Sequence, residues 1–168
     1  MIDGEAQAAK IARFMAAVSL ISALAIAFGF ETNYLRFHQW LAGAYADLTS
    51  AAAYDAPDGG ELSLVVTFTA PPVGFHTEVK SMEFALQGPE GHFGYYRTVL
   101  PEGVSPSAQD SGSIQLSLVS NIPPKHWPKL RSSSAPQLDG RLIVYLHLPG
   151  REVPARVPIS GLISLEEI

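Results

Sequence analysis

The sequence predicts a mainly β protein: a two-layer sandwich of six to seven strands behind a single transmembrane helix and a juxtamembrane helical segment. Three observations carry this. Residues Phe14–Phe30 hold no charge and are bounded by Arg13 and Glu31. From Glu61 onward apolar residues recur with a period of two, as half-buried strands require. Between the alternating runs stand Pro/Gly turn signals at short intervals.

The anchor comes first. Ile11 and Ala12 extend the uncharged run on its N-terminal side, so residues 11–31 form the expected span. About 20 residues cross a 30 Å hydrocarbon core at 1.5 Å per residue. The run suffices if Arg13 snorkels to the headgroups. Ala16, Ala17, Ser19, Ser22, Ala23, Ala27 and Gly29 would let a second helix approach closely. Ala23-Leu24-Ala25 and Ala25-Ile26-Ala27 also fit the small-x-small rule for signal cleavage. The span length favours a retained anchor. Lys10 and Arg13 precede the span and only Arg36 follows it closely. The positive-inside bias therefore expects residues 1–10 in the cytoplasm and the C-terminal domain in the periplasm, across an inner membrane.

After the span, residues 32–56 read as helix. Tyr34, Phe37, Trp40 and Leu41 share one side at helical spacing, and Ala44, Tyr45 and Leu48 continue the stripe. Amphipathic rings at this place suit the membrane–water interface. Tyr34, Phe37 and Trp40 are accordingly candidate contacts to other transmembrane subunits and to lipid. Asp55-Ala-Pro-Asp-Gly-Gly60 ends the helical part.

The β domain is expected over residues 61–165. Leu62, Leu64, Val66 and Phe68 alternate with more polar neighbours, as do Met82, Phe84 and Leu86. So do Ile114, Leu116 and Leu118; Leu142, Val144, Leu146 and Leu148; and Val153, Ala155, Val157 and Ile159. A further strand is expected over His92–Leu100, where Phe93, Tyr95 and Tyr96 raise β propensity. Turns are expected at Ala70-Pro-Pro, Gly88-Pro-Glu-Gly, Pro101-Glu-Gly, Asp110-Ser-Gly and Pro149-Gly. Pro154 and Pro158 put the last strand at an edge. Ile122–Leu130, with three prolines, fits no strand and is expected as a short helix or capping loop.

The order of these segments resembles the water-stress and hypersensitive-response domain of late embryogenesis abundant proteins, over Glu61–Ser160. In that family a strand ends in a proline-containing turn, as Leu62–Ala70 ends in Ala70-Pro71-Pro72. A second alternating strand follows, as Val79–Gln87 does. A later strand precedes a short helical segment, as Ser113–Val119 precedes Pro123–Leu130. A Gly-led strand then closes the fold, as Gly140-Arg-Leu-Ile-Val-Tyr does. The asparagines of the family's turn are missing here. The resemblance implies an immunoglobulin-like sandwich and no catalytic residues.

Composition excludes several chemistries. With no cysteine, disulfides, thiolate metal sites and a cysteine nucleophile are ruled out. Net charge is −5 and no Lys/Arg cluster stands out, which argues against nucleic acid as a partner. His38, His76, His92, His126 and His147 show no metal-binding spacing, and no phosphate loop or nucleophile elbow occurs. No enzyme activity, metal or resident cofactor is expected. His38, beside Phe37 and Trp40, is the candidate for a pigment contact: a neutral imidazole there could ligate a chlorophyll magnesium of a host complex. In the β domain, Trp127 and the pair Tyr95 and Tyr96 are candidate partner contacts, since Trp and Tyr anchor interfaces. Trp127 could equally plug the end of the sandwich. The function expected is a non-catalytic accessory subunit of a larger membrane complex, of which a photosynthetic assembly is one host. The alternative is a stand-alone, membrane-anchored periplasmic module binding a lipid or apolar ligand.

Overall fold

The computed structural model describes residues 2–72, 75–105, 112–148 and 150–165, the side chains of 2–9, 12 and 101 excepted. The turn signals at Asp110-Ser and Pro149 lie outside the described residues. The chain divides into two units, Met1–His38 and Gln39–Ile168.

The first unit is helical. Helix α1 runs over Ile2–Gly43 and carries its last turn into the second unit. Helix residues Arg13–Gly43 are long and apolar enough to cross a membrane: their most apolar 18-residue stretch has a mean hydropathy of 1.9 and nothing packed on it. Phe14, Leu20, Ile21, Leu24, Ile26, Phe28 and Phe30 are all exposed. They point to every side of the helix, so the surface is apolar all round rather than striped. Thr32 satisfies its hydroxyl within the helix, its Oγ1 donating to the carbonyl of Phe28 at 2.8 Å.

The second unit holds two four-stranded sheets. The strands are β1 (Tyr45–Ala56), β2 (Gly59–Thr69), β3 (His76–Gly88), β4 (Gly91–Val104), β5 (Ser113–Ile122), β6 (Gln137–Leu148), β7 (Arg151–Leu162) and β8 (Ser164–Leu165), with helix α2 at Trp127–Ser132. One sheet has the order β5-β2-β1-β8 and the other β4-β3-β6-β7. Every pairing is antiparallel except β1 with β8. The alternating residues form the core between the sheets: Leu62, Leu64, Val66 and Phe68 face Met82, Leu86, Leu142, Val144 and Leu146, and all are fully buried.

Three differences from the sequence reading have physical causes. Residues 45–56 are not helix. They pair with β2 along their whole length, from Tyr45↔Thr69 to Ala56↔Gly59. The hairpin turn at Pro57-Asp58, with Gly59 at φ +132°, and the strongly β-forming β2 outweigh the helix propensity of the alanines. Ala51 and Ala53 then face inward. Second, Pro101-Glu-Gly is not a turn: β4 continues to Val104 through an irregularity opposite Val79/Ser81. Because β4 is an edge strand, the missing amide of Pro101 costs no interior ladder bond. Third, β1 and β8 raise the count to eight strands. The edge position read for the proline-bearing last strand holds, since β7 ends its sheet. The segment after Ile122 is the expected short helix.

Each end of the sandwich holds a tryptophan. Trp40 is fully buried, with its ring 6.4 Å from that of Phe68, at the end where β1 begins. Trp127, 9 % exposed, lies over Gly60 at the end where β1 finishes.

Candidate functional site

Of the residues singled out as contacts, the structure keeps some at the surface and takes others inside. Trp40 is corrected from a partner anchor to a core plug, and for Trp127 burial favours the second of its two readings, the plug. Trp40 carries the aromatic mass that closes one end of the apolar interior. Trp127 is held in place by polar bonds as well: its Nε1 donates to Asp55 Oδ1 at 2.8 Å, and Asp55 also pairs with Arg131 at 3.1 Å. Gly60 leaves room for the indole, because a Cβ there would collide with it.

Tyr34 is exposed, Phe37 half-buried and His38 exposed on α1. The His38 ring lies edge-on to Tyr34 at 4.3 Å and to Phe37 at 5.9 Å. Helical i, i+4 spacing produces the first of these pairs. Ala23, Ile26, Ala27, Phe30 and Tyr34 line a shallow apolar recess on the same helix. The small side chains of Ala23 and Ala27 form its floor.

The outer face of the β4-β3-β6-β7 sheet is the other surface with recognisable chemistry. Register sets its rows. Tyr95, Ala85 and Asp139 lie side by side; then Arg97, Glu83 and Arg141; then Val99, Ser81 and Ile143. Small residues on the central strand between taller neighbours make an open groove of about 550 Å³, lined by Glu83, Ala85, His92, Tyr95, Arg97 and Asp139 among others. Arg141 grips Glu83 through Nε at 3.1 Å and Nη2 at 3.0 Å. Among the described residues Arg97 has no carboxylate partner. Tyr95 is 79 % exposed and stacks on His92 at 5.6 Å. Tyr96, next to it, turns inward. It stacks on Phe84 at 5.4 Å, and its hydroxyl lies 2.7 Å from His126 Nδ1. Desolvation raises the Tyr96 phenol, while desolvation and then Lys125 and Lys129 hold His126 below its ordinary 6.5. At neutral pH a protonated phenol thus meets a neutral imidazole, and the tautomer of His126 sets which of the two donates.

Toward the other end of the same face, His147 stands between two carboxylates, 3.3 Å from Glu78 through Nε2 and 3.2 Å from Glu152 through Nδ1. Its ring lies 5.0 Å from that of His76. Lys80 bonds Glu78 and, with His147, holds that carboxyl below its ordinary 4.5. Gly103 on β4 makes room for the Glu78 side chain, where a Cβ would clash. Among the described residues no set of three or more metal-binding side chains converges. Sequence reading missed Glu83, Arg97, Arg141, Glu78 and His147 as a surface. Their outward positions follow from period-two alternation, but which strands stand side by side does not.

No protein-family model matches the chain, and no curated protein does either. Solved structures do resemble it. AT1g01470 from Arabidopsis thaliana is 17% identical with a TM-score of 0.50, over 73% of this chain and 82% of that one. A protein described as ApaA from Bordetella pertussis is 12% identical with a TM-score of 0.47, over 74% and 95%. A protein described as of the late embryogenesis abundant kind, At2g46140.1, is 17% identical with a TM-score of 0.35, over 86% and 82%. At such identities the likeness to AT1g01470 speaks to the fold alone.

Proposed function

We propose that the protein is a non-catalytic, single-pass membrane accessory subunit, anchored by α1 and offering its β-sandwich to other subunits of a larger complex. One observation carries the proposal: α1 exposes apolar side chains on all sides over a length sufficient for a bilayer. In water such a surface would be costly, at about 25 cal/mol per Å². Lipid and other transmembrane helices are the environments that match it. The N-terminus lies inside by the Lys10/Arg13 bias, and the sandwich lies in the periplasm. The order of segments supports membership of the water-stress and hypersensitive-response type, with its immunoglobulin-like topology. A photosynthetic assembly is the host we favour, with His38 as the residue facing a pigment.

The alternative, an apolar ligand held between the sheets, has less support. Leu62, Leu64, Phe68, Met82, Leu142 and Leu146 meet there without exposure. Gentle detergent extraction followed by native mass measurement tests the main reading. The chain is expected to travel with other membrane subunits. A mass of only 18.0 kDa, or a simple multiple of it, overturns the reading. Replacing His38 with Phe is expected to alter the absorption of the purified assembly; an unchanged spectrum removes the pigment contact.

A further inference from the structure

The four edge strands of the sandwich are not alike. Edge strands invite pairing with other chains, and proteins blunt them with proline, charge or shortness. β7 carries Pro154 and Pro158, and β8 has only two residues. β5 is unblunted, but its exposed residues are mostly small or polar: Gln115, Ser117, Val119 and Asn121. β4 differs. Between its two irregularities, from Gly94 to Val99, it has no proline and one charge, and it is rich in strand-forming residues. It ends the order of its sheet. Its outward side chains are Tyr95, 79 % exposed, Arg97, and Val99, 58 % exposed. Tyr and Arg are the residues most often found anchoring interfaces.

We infer that β4 is a self-pairing edge: it joins antiparallel to β4 of a second copy of this chain, with Tyr96 at the two-fold axis. The sequence of the strand chooses both occupant and register. An antiparallel two-fold pairs residues symmetrically about its centre. Centring on Tyr96 sets each Tyr95 opposite the second copy's Arg97, on the same face. Arg97 then gains the π face of a tyrosine, twice per dimer. Centring on Arg97 would oppose two like charges. Centring on Thr98 would set Tyr95 opposite Pro101, which has no amide to donate. Among the described residues Arg97 has no competing acid, because Glu83 is taken by Arg141. Of these three registers the strand is complementary to itself in the first, and the eight-stranded sheet that results removes the unpaired edge.

The chain has no cysteine, so single thiols can report the register. Full-length Tyr95→Cys and Arg97→Cys proteins are purified in detergent and oxidised separately and as an equal mixture. The mixture is expected to give at least fivefold more covalent dimer than either protein alone. In the proposed register two copies of position 95 stand about 8 Å apart, beyond disulfide reach, whereas 95 and 97 face each other. The mixed dimer also keeps one intact Tyr95–Arg97 contact. Arg97→Ala is expected to move the otherwise native chain from dimer to monomer in native mass measurement, with its strand-dominated circular dichroism spectrum kept. Equal cross-linking in all three samples, or a wild-type chain with no dimer at any concentration, overturns the inference. Because both side chains are exposed, neither substitution threatens the fold.

Discussion

Trp127 illustrates how one side chain can do two jobs. Its ring fills the space above Gly60, and its Nε1 satisfies Asp55. Trp127→Ala removes both and should cost about 3–5 kcal/mol of stability, in the range for large-to-small aromatic truncation. Gly60→Ala should cost about 1–3 kcal/mol by overpacking, since the new methyl meets the indole. Denaturant unfolding of the chain in detergent checks both. Glu78 gives a pH signature. Its carboxyl is held below 4.5 by Lys80 and His147, so its contribution is complete above that value and fades as the pH falls through the lowered one. Glu78→Gln should therefore destabilise the protein at neutral pH, and the gap to wild type should close in acid. A gap that persists unchanged at low pH would mean the carboxylate charge is not the cause.

At the level of elements, α1 and β7 are under opposite pressures. The helix is apolar on every side, and a charge in its middle should interfere with insertion. Leu24→Arg is expected to disfavour the span by about 3–4 kcal/mol on the insertion scale. The measurement is the fraction of chain left in carbonate-washed membranes, which should drop. β7 is guarded: Pro154 and Pro158 alternate with the buried Ala155, Val157 and Ile159. Replacing both prolines with Val frees two amides on an edge and should raise light scattering at high protein concentration. Scattering equal to wild type would show that the prolines do not protect this edge.

Across the whole molecule, the interior of the sandwich is built within Gln39–Ile168, including the Trp40 plug. A chain beginning at Gln39 is expected to fold without the apolar helix and to remain soluble, with a strand-dominated circular dichroism spectrum and a cooperative melt. Beginning it instead at Tyr45 removes Trp40 and should lower the melting midpoint by several degrees, since a domain of this size shifts roughly 4–8 °C per kcal/mol at its smaller end and less at its larger. Identical melts for the two chains would show that Trp40 is not part of the core in solution.

Much of this architecture was legible before any coordinates. The span is a one-dimensional signal, because a bilayer asks only for length and the absence of charge. Strands with strict alternation were likewise readable, since one face must enter the core whatever lies opposite. β1 was not. Its alanines carry a helix preference that only the partner strand β2 overrides, and pairing across a turn is a tertiary fact. The two tryptophans followed the same logic: a ring that looks like an interface anchor becomes a plug once the open end of a sandwich stands beneath it. Composition and periodicity by themselves determined the long apolar helix, the mainly β domain and the inward-facing residues. Only the tertiary structure decided which strands are neighbours, and with that the row of Arg97, Glu83 and Arg141, the pairing of His147 with two carboxylates, and the exposed edge at β4. The physical reason is that alternation tells each residue which side to face, while lateral neighbours depend on chain crossings that leave no local trace.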